Sequence, residues 1–173
     1  MPGPLHDVNV LDLTWHVAGP YCTKLFADYG AKVTKIERPG TGDPARSIGP
    51  FFHDKPHVEH SALFLHLNTN KRSVTLDLQS TNGLRLVKRL VEKADVLAES
   101  FRPGVMERLG LGYEVLRRLN PRLVFLSISS FGQTGPYQDF ESSELTLFAM
   151  SGAMIGEGAR DREPLKYAGW QAL

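Results

Sequence analysis

Cysteine is almost missing. Cys22 stands alone among 173 residues, which excludes an internal disulfide and any cage of paired cysteines around a metal. A lone thiol fits a reducing cytoplasm, where disulfides are rare. No apolar run approaches the roughly 20 residues that a helix needs to cross a bilayer, so no membrane partner is expected. Met1-Pro2-Gly3-Pro4 leads directly into a strand pattern, which predicts no signal peptide. Neither sign of charge dominates, and a net charge of +1 supplies no general attraction for nucleic acid. The Gly-x-Ser-x-Gly elbow of the serine hydrolases is absent. Internal repeats, low-complexity tracts and linkers are absent too, so one domain is expected, with the 42% apolar and 23% charged residues of an ordinary globular protein.

The opening of the chain is the most informative stretch. Val8 to Leu13 carries apolar residues on both faces near its centre, as a strand buried in a parallel sheet does. Thr14 to Gly19 forms a crossing, and Pro20 suits the first position of a helix. Cys22, Leu25, Phe26 and Tyr29 then recur at helical spacing as an expected buried stripe, with Gly30 as a left-handed C′ residue. Ala31 to Ile36 is a second strand. Strand, helix and strand predict a right-handed parallel crossover whose ligands bind beyond the carboxyl ends of the strands.

Further along, Ser73 to Leu78 reads as a strand, and Asn82 to Lys93 as a helix capped by Ser80 or Thr81. Leu84, Val87, Leu90 and Val91 form its expected stripe. Asp95 to Glu99 is a short strand. A helical turn over Val105 to Leu109 and a helix over Tyr113 to Leu119 follow, the latter stopped by Asn120-Pro121. Leu123 to Ile128 is nearly all apolar and is expected at the centre of the sheet. Ser142 is the expected cap of a last helix through Glu144, Leu147, Phe148 and Met150. The fold class is therefore α/β: a Rossmann-like open, mostly parallel sheet with helices on both faces.

Chemistry is sparser. A dinucleotide site needs several small residues in the first turn, whereas here Gly19 stands alone behind Trp15 and His16, which obstruct a pyrophosphate. Four of the six histidines, His53, His57, His60 and His66, fall in one stretch, but Pro56 breaks their helical spacing and no cysteine supports them. No metal is expected there. Pro39 to Pro44 is either a plain turn or a rim touching a ligand. Cations recur near strand ends at Arg38, Lys71-Arg72, Arg102 and Arg108, a set suited to a ligand with several phosphates. Arg38 and Phe101 also suit stacking on a flat base.

The wording of the sequence carries further. Val10-Leu11-Asp12-Leu13-Thr14 with Ala18-Gly19-Pro20 resembles the opening of the class III (CaiB/BaiF) CoA-transferases, as do Ala27-Asp28-Tyr29-Gly30-Ala31-Lys32-Val33 and Lys35-Ile36-Glu37-Arg38-Pro39. Gly42-Asp43-Pro44-Ala45-Arg46, Asn70-Lys71-Arg72-Ser73-Val74, Phe101-Arg102-Pro103-Gly104 and Phe131-Gly132-Gln133-Thr134-Gly135-Pro136-Tyr137 continue the likeness in the family's order. It covers nearly the whole chain.

The resemblance implies coenzyme A and acyl-CoA thioesters as ligands, a carboxylic acid as acceptor, and two ring-shaped subunits interlocked as a homodimer. Residues 1–173 would be the N-terminal part of the CoA-binding large domain, with the chain continuing past Leu173. Motif matching places CoA contacts on His16, Val17 and Ala18, on Arg38, on Leu76 to Gln79, on Ser100, Phe101 and Arg102, and on Arg108. The transferases use an aspartate nucleophile that attacks the acyl-CoA and then carries CoA as a thioester. Ungapped counting sets Leu173 at that position, so the aspartate lies beyond the end or is lacking. Glu144 matches another acidic position of the family, either as an alternative carboxylate or as an acid at a helix N-terminus. The racemases of the family place a histidine just before that acid; Ser143 stands there and argues against racemisation. A non-catalytic CoA-binding subunit is the other alternative.

Overall fold

Five parallel strands form one open sheet in the order β3-β2-β1-β4-β5. In chain order they are β1 (Asn9–Leu13), β2 (Lys32–Glu37), β3 (Arg72–Thr75), β4 (Val96–Glu99) and β5 (Val124–Ser127). The computed structural model describes residues 3–159 and 161–167. Among the described residues six α-helices accompany the sheet: α1 (Ala18–Asp28), α2 (Ala62–Leu67), α3 (Thr81–Val91), α4 (Val105–Arg108), α5 (Tyr113–Leu119) and α6 (Glu144–Met150).

Alternation along β1 divides the core into two layers. Leu11 and Leu13 pack with Ile36, Leu97, Val87 and Val91 against α3, and with Met106 and Leu116 of α4 and α5. Val10 points the other way and packs with Val33, Val96 and Ala27 of α1. Helices therefore cover both faces, as an α/β doubly wound sheet requires. The centre of the sheet is β1, not the apolar run of β5. That run forms an edge among the described residues, and Val124 is exposed. A continuous apolar run indicates burial in general but not which place in the sheet a strand takes.

Helix α1 departs from its expected face. It starts at Ala18, and its buried residues are Gly19, Pro20, Thr23 and Ala27, while Tyr21, Leu25 and Tyr29 are exposed. Cys22 is only partly buried. The small residues face inward because the helix lies close to the loop after β1: a Cβ on Gly19 would stand 2.3 Å from Thr14 Cβ. Pro20 sits in the first turn, where its missing N–H leaves no helical bond unmade. Gly30 takes the expected left-handed conformation at φ +99°. Ser80 caps α3, accepting from Gly83 N, and Leu90 of its expected stripe is exposed. The cap of α6 is Ser143 rather than Ser142, through a reciprocal pair with Thr146. Helix α2, in the histidine-rich stretch, is capped by Ser61, whose hydroxyl also donates to the carbonyls of Ala45 and Ile48.

The polar interior lies on the α1 face at the carboxyl halves of the strands. Register pairs Asp12 with Lys35, and both side chains are buried. Asp12 Oδ1 accepts from Thr14 N (2.9 Å) and Thr14 Oγ1 (2.6 Å), and Oδ2 accepts from Thr23 Oγ1 (2.7 Å) and Lys71 Nζ (3.0 Å). Lys71 also donates to Pro20 O, Thr23 Oγ1 and Asn68 Oδ1. Lys71 and Arg72 thus stand before and at the start of β3, and the Lys71 side chain is an interior strut that reaches Asp12. Burial lowers its ammonium to about 8 against the opposing pull of Asp12. Burial would raise Asp12, but the charges of Lys35 and Lys71 and the two threonine hydroxyls bring it below the usual carboxylate range.

Glu37 ends β2 in a second cluster. It accepts from Arg46 Nε (2.7 Å), Ser73 Oγ (2.6 Å) and Asp43 N (3.0 Å). Burial pushes its carboxyl up, and these donors outweigh that, holding it at about 2 against an ordinary 4.5. A carboxylate with a depressed folded pKa stabilises the fold above its unfolded value and loses that contribution as pH falls. The fold is therefore expected to lose stability progressively from pH 4.5 toward 2. Urea midpoints across that window should fall less steeply for Glu37→Gln, which should also be less stable than the parent at pH 7.

Candidate functional site

The strand order reverses between β1 and β4, so the loops leaving these two strands diverge to opposite faces and open a crevice. Its two walls are residues 14–17 and residues 100–104. Each wall is tied to its strand by a carboxylate that accepts the backbone N–H two residues on: Asp12 takes Thr14 N, and Glu99 Oε2 takes Phe101 N at 2.7 Å. Burial raises the Glu99 carboxyl, against the bonds from Ser127 and Phe101 N. The walls are also tied to each other, because Ser100 Oγ accepts from Trp15 N at 2.8 Å.

Above this joint the rings of Trp15 and Phe101 meet edge to face, with centroids 5.2 Å apart at 87°. The Arg38 guanidinium lies 4.6 Å over the Trp15 ring. Trp15, Phe101 and Val105 form a partition shared by two cavities. The larger, about 940 Å³, is lined on one side by His16, Ala18, Ser100 and Arg102 and on the other by Ile128, Ser129, Ser130, Phe131, Tyr137 and Phe140 from the loop after β5. Arg102 also lies 3.6 Å from Glu141, an exposed pair across its mouth. The smaller, about 390 Å³, is lined by Leu13, Ile36, Arg38, Leu76, Leu78 and Gln79.

His16 is the strained member. Its φ is +66°, a left-handed conformation that costs a side-chain-bearing residue about 1–2 kcal/mol. Its backbone N–H donates to Asp43 Oδ1 at 3.2 Å, and its Nδ1 is buried with no hydrogen-bond partner among the described residues. A polar atom left in this state beside a cavity is suited to a ligand's donor or acceptor.

Most residues expected at a ligand rim do converge. His16, Ala18, Ser100, Phe101 and Arg102 line the larger cavity; Arg38, Leu76, Gln79 and again Phe101 line the smaller. Val17 is the residue before α1 and lines neither, and Arg108 ends α4, exposed and outside both. Glu144 begins α6, whose Leu147 and Met150 line the larger cavity, but is not itself a lining residue. The position counted for the nucleophile, Leu173, is outside the described residues. Trp15, an apparent obstacle in the sequence, proves to be the partition. The aromatic wall of Phe131, Tyr137 and Phe140 was also missed; its signal was three rings in a glycine-rich loop directly after a strand. In the loop over residues 39–44, Pro39 to Thr41 are exposed and Asp43 is buried, and none of these residues lines either cavity. Among the described residues, no group of His, Cys, Asp and Glu is arranged to hold a metal ion, and no helix is long and apolar enough to cross a membrane.

An open parallel sheet with its crevice at the reversal of strand order defines a ligand-binding α/β domain of the Rossmann type. The chain belongs to CoA-transferase family III, whose family profile matches residues 5–172. It is 42% identical over 167 residues to the acetyl-CoA:oxalate CoA-transferase of Acetobacter aceti, covering 96% of this chain and 42% of that protein. To the succinyl-CoA–D-citramalate CoA-transferase of Chloroflexus aurantiacus it is 44% identical over 165 residues, covering 95% and 40%. A CaiB/BaiF family protein from Brucella suis superposes with a TM-score of 0.88 at 37% identity, over 98% of this chain and 44% of that one. Rv3272 from Mycobacterium tuberculosis gives a TM-score of 0.83 at 37% identity, over 95% and 45%. The chain thus spans about two fifths of the length of the curated relatives it matches.

The contact between Gly19 and Thr14 makes a test of the wall's packing. Gly→Ala within a helix ordinarily stabilises. Here the added methyl is expected to destabilise the protein by about 1–3 kcal/mol through overpacking, read from urea unfolding of Gly19→Ala. A stabilised variant would show that the wall is loosely packed.

Proposed function

We propose that this chain is the CoA-binding part of an enzyme that transfers CoA between carboxylic acids, residues 1–173 being the N-terminal portion of its large domain. The observation that supports this most is the paired cavity at the crevice, divided by Trp15 and Phe101, with Arg38 on one side and Arg102 on the other. The smaller cavity takes the nucleotide end of CoA, where Arg38 supplies charge for phosphate and a flat cation for the base. The larger cavity takes the acyl end together with the acid. Its aromatic wall excludes water from the thioester, and the unpartnered His16 Nδ1 meets a polar group of the ligand.

The relatives named above act on acetyl-CoA with oxalate and on succinyl-CoA with D-citramalate, so small carboxylic acids are the proposed acceptors. A carboxylate nucleophile divides such a transfer into two easier steps. It displaces CoA thiolate from the acyl carbonyl to give a mixed anhydride, and the thiolate then attacks the enzyme's carbonyl and frees the acid. A second acid reverses the sequence. The whole enzyme is proposed to act as an interlocked homodimer in the cytoplasm.

Two measurements test this reading. Arg38→Ala should weaken CoA binding by about tenfold in a calorimetric titration, with unchanged affinity counting against the smaller cavity as the nucleotide site. Glu144 is the candidate carboxylate within the described residues. Incubation with acyl-CoA, trapping with hydroxylamine and mass spectrometry should find Glu144 modified if it is the nucleophile. A turning-over enzyme with unmodified Glu144 assigns it to the helix N-terminus alone.

A further inference from the structure

The turn that carries Trp15 and His16 is held from behind by groups that touch neither cavity. Lys35 Nζ donates to Thr14 O at 2.8 Å, and Asp43 Oδ1 accepts from His16 N at 3.2 Å. Lys35 and Asp43 are themselves an ion pair, 2.8 Å apart, with side chains 1% and 0% exposed. Both members therefore direct a remaining hydrogen bond to the same short turn. Asp43 reaches this place because Gly42 bends the loop after β2 at φ +66° and the backbone N–H of Asp43 is caught by Glu37.

Asp43 also caps a short 3₁₀ turn, Pro44–Ser47, by accepting from Ala45 N at 2.9 Å. Capping alone accounts for any short polar side chain. It does not account for a fully buried carboxylate paired with a buried lysine, nor for a bond that spans 27 residues to the strained position beside the cavity.

Resting on the CoA-transferase reading above, we propose that Asp43, oriented by Lys35, is a positioning residue of the acyl-CoA site: it holds His16 in its left-handed conformation and so sets Trp15 as the partition between the two cavities. Asp43 touches no ligand. Its effect passes through the backbone of residues 14–16, and it decides where the wall of the crevice stands.

The test separates positioning from capping and avoids leaving a lone buried charge, which by itself unfolds proteins. Two double variants are compared in the full chain, Lys35→Met with Asp43→Asn and Lys35→Met with Asp43→Ser. Asparagine and serine both cap helical turns well. Only asparagine keeps an oxygen at the reach needed for His16 N. The readouts are CoA affinity by calorimetry and the emission and acrylamide quenching of Trp15, isolated by Trp170→Phe because the chain has two tryptophans. Both variants lose the Lys35 bond to Thr14 O, and the asparagine variant, which keeps the bond from His16 N, is expected to stay nearer the parent in affinity and emission than the serine variant. The serine variant is expected to bind CoA about tenfold more weakly, with a red-shifted and more quenchable Trp15. Indistinguishable behaviour of the two variants, both folded by circular dichroism, overturns the proposal and leaves Asp43 a cap. If the parent binds no CoA, the transferase reading fails on its own; a difference in Trp15 emission between the variants would still uphold the positioning role.

Discussion

The burial of charge at the carboxyl ends of the central strands is the constraint on which the rest of the structure depends. Asp12, Lys35, Lys71 and Asp43 lie in the interior between the sheet and α1, where each ion costs several kcal/mol to desolvate unless it is paired and hydrogen-bonded. Such a cluster adds little stability compared with apolar packing of the same volume, yet removing one partner costs about 3–5 kcal/mol. It therefore acts as a set of fixed lengths. The loops that satisfy these charges have few places to go, and the place they take is the wall of the crevice.

Strand-end carboxylates repeat the device. Asp12 and Glu99 each fold back to accept the N–H of the loop that follows, and Ser100 bridges the two loops through Trp15 N. The N-terminal half of the same interior is apolar, with Val10, Val33 and Val96 against Ala27. The sheet is thus held together by apolar packing at one end and shaped by polar bonds at the other. This division suits a domain that must present rigid loops to a ligand at one edge only. Trp15 sits where the fixed walls meet, and both Arg38 and Phe101 pack on it. The proposed ligand, with a charged, flat end and a thioester end, would occupy the two cavities on either side of this partition.

Much of the fold was legible in the sequence because its main signals are local. All five strands and the helices α3, α4 and α5 follow from periodicity and capping, and the strand-end loops follow from the parallel order. What escaped depends on distance. The stripe of large apolar residues on α1 faces outward because Gly19 must approach Thr14, a contact no periodicity reveals. Lys71 reads as a surface cation, and only the three-dimensional meeting of β1, α1 and the turn before β3 makes it a strut. Strand β5 reads as central by composition, although β1 holds that place through its two parallel neighbours. For the site, Arg38, Phe101 and Arg102 were legible as strand-end residues. Trp15 was not, because a bulky side chain in a first turn argues against one ligand class without naming another.

The central claim is that the loops after β1, β2, β3 and β4 form one rim that receives coenzyme A. A titration of the isotope-labelled chain with CoA, followed by amide NMR, tests it most directly. The account predicts shifts concentrated at residues 14–18, 36–38, 76–79 and 100–105, together with the Trp15 indole N–H. Shifts gathered instead at the opposite edge, around residues 5–8, 68–72 and 92–95, or a spectrum unmoved by saturating CoA, would contradict it.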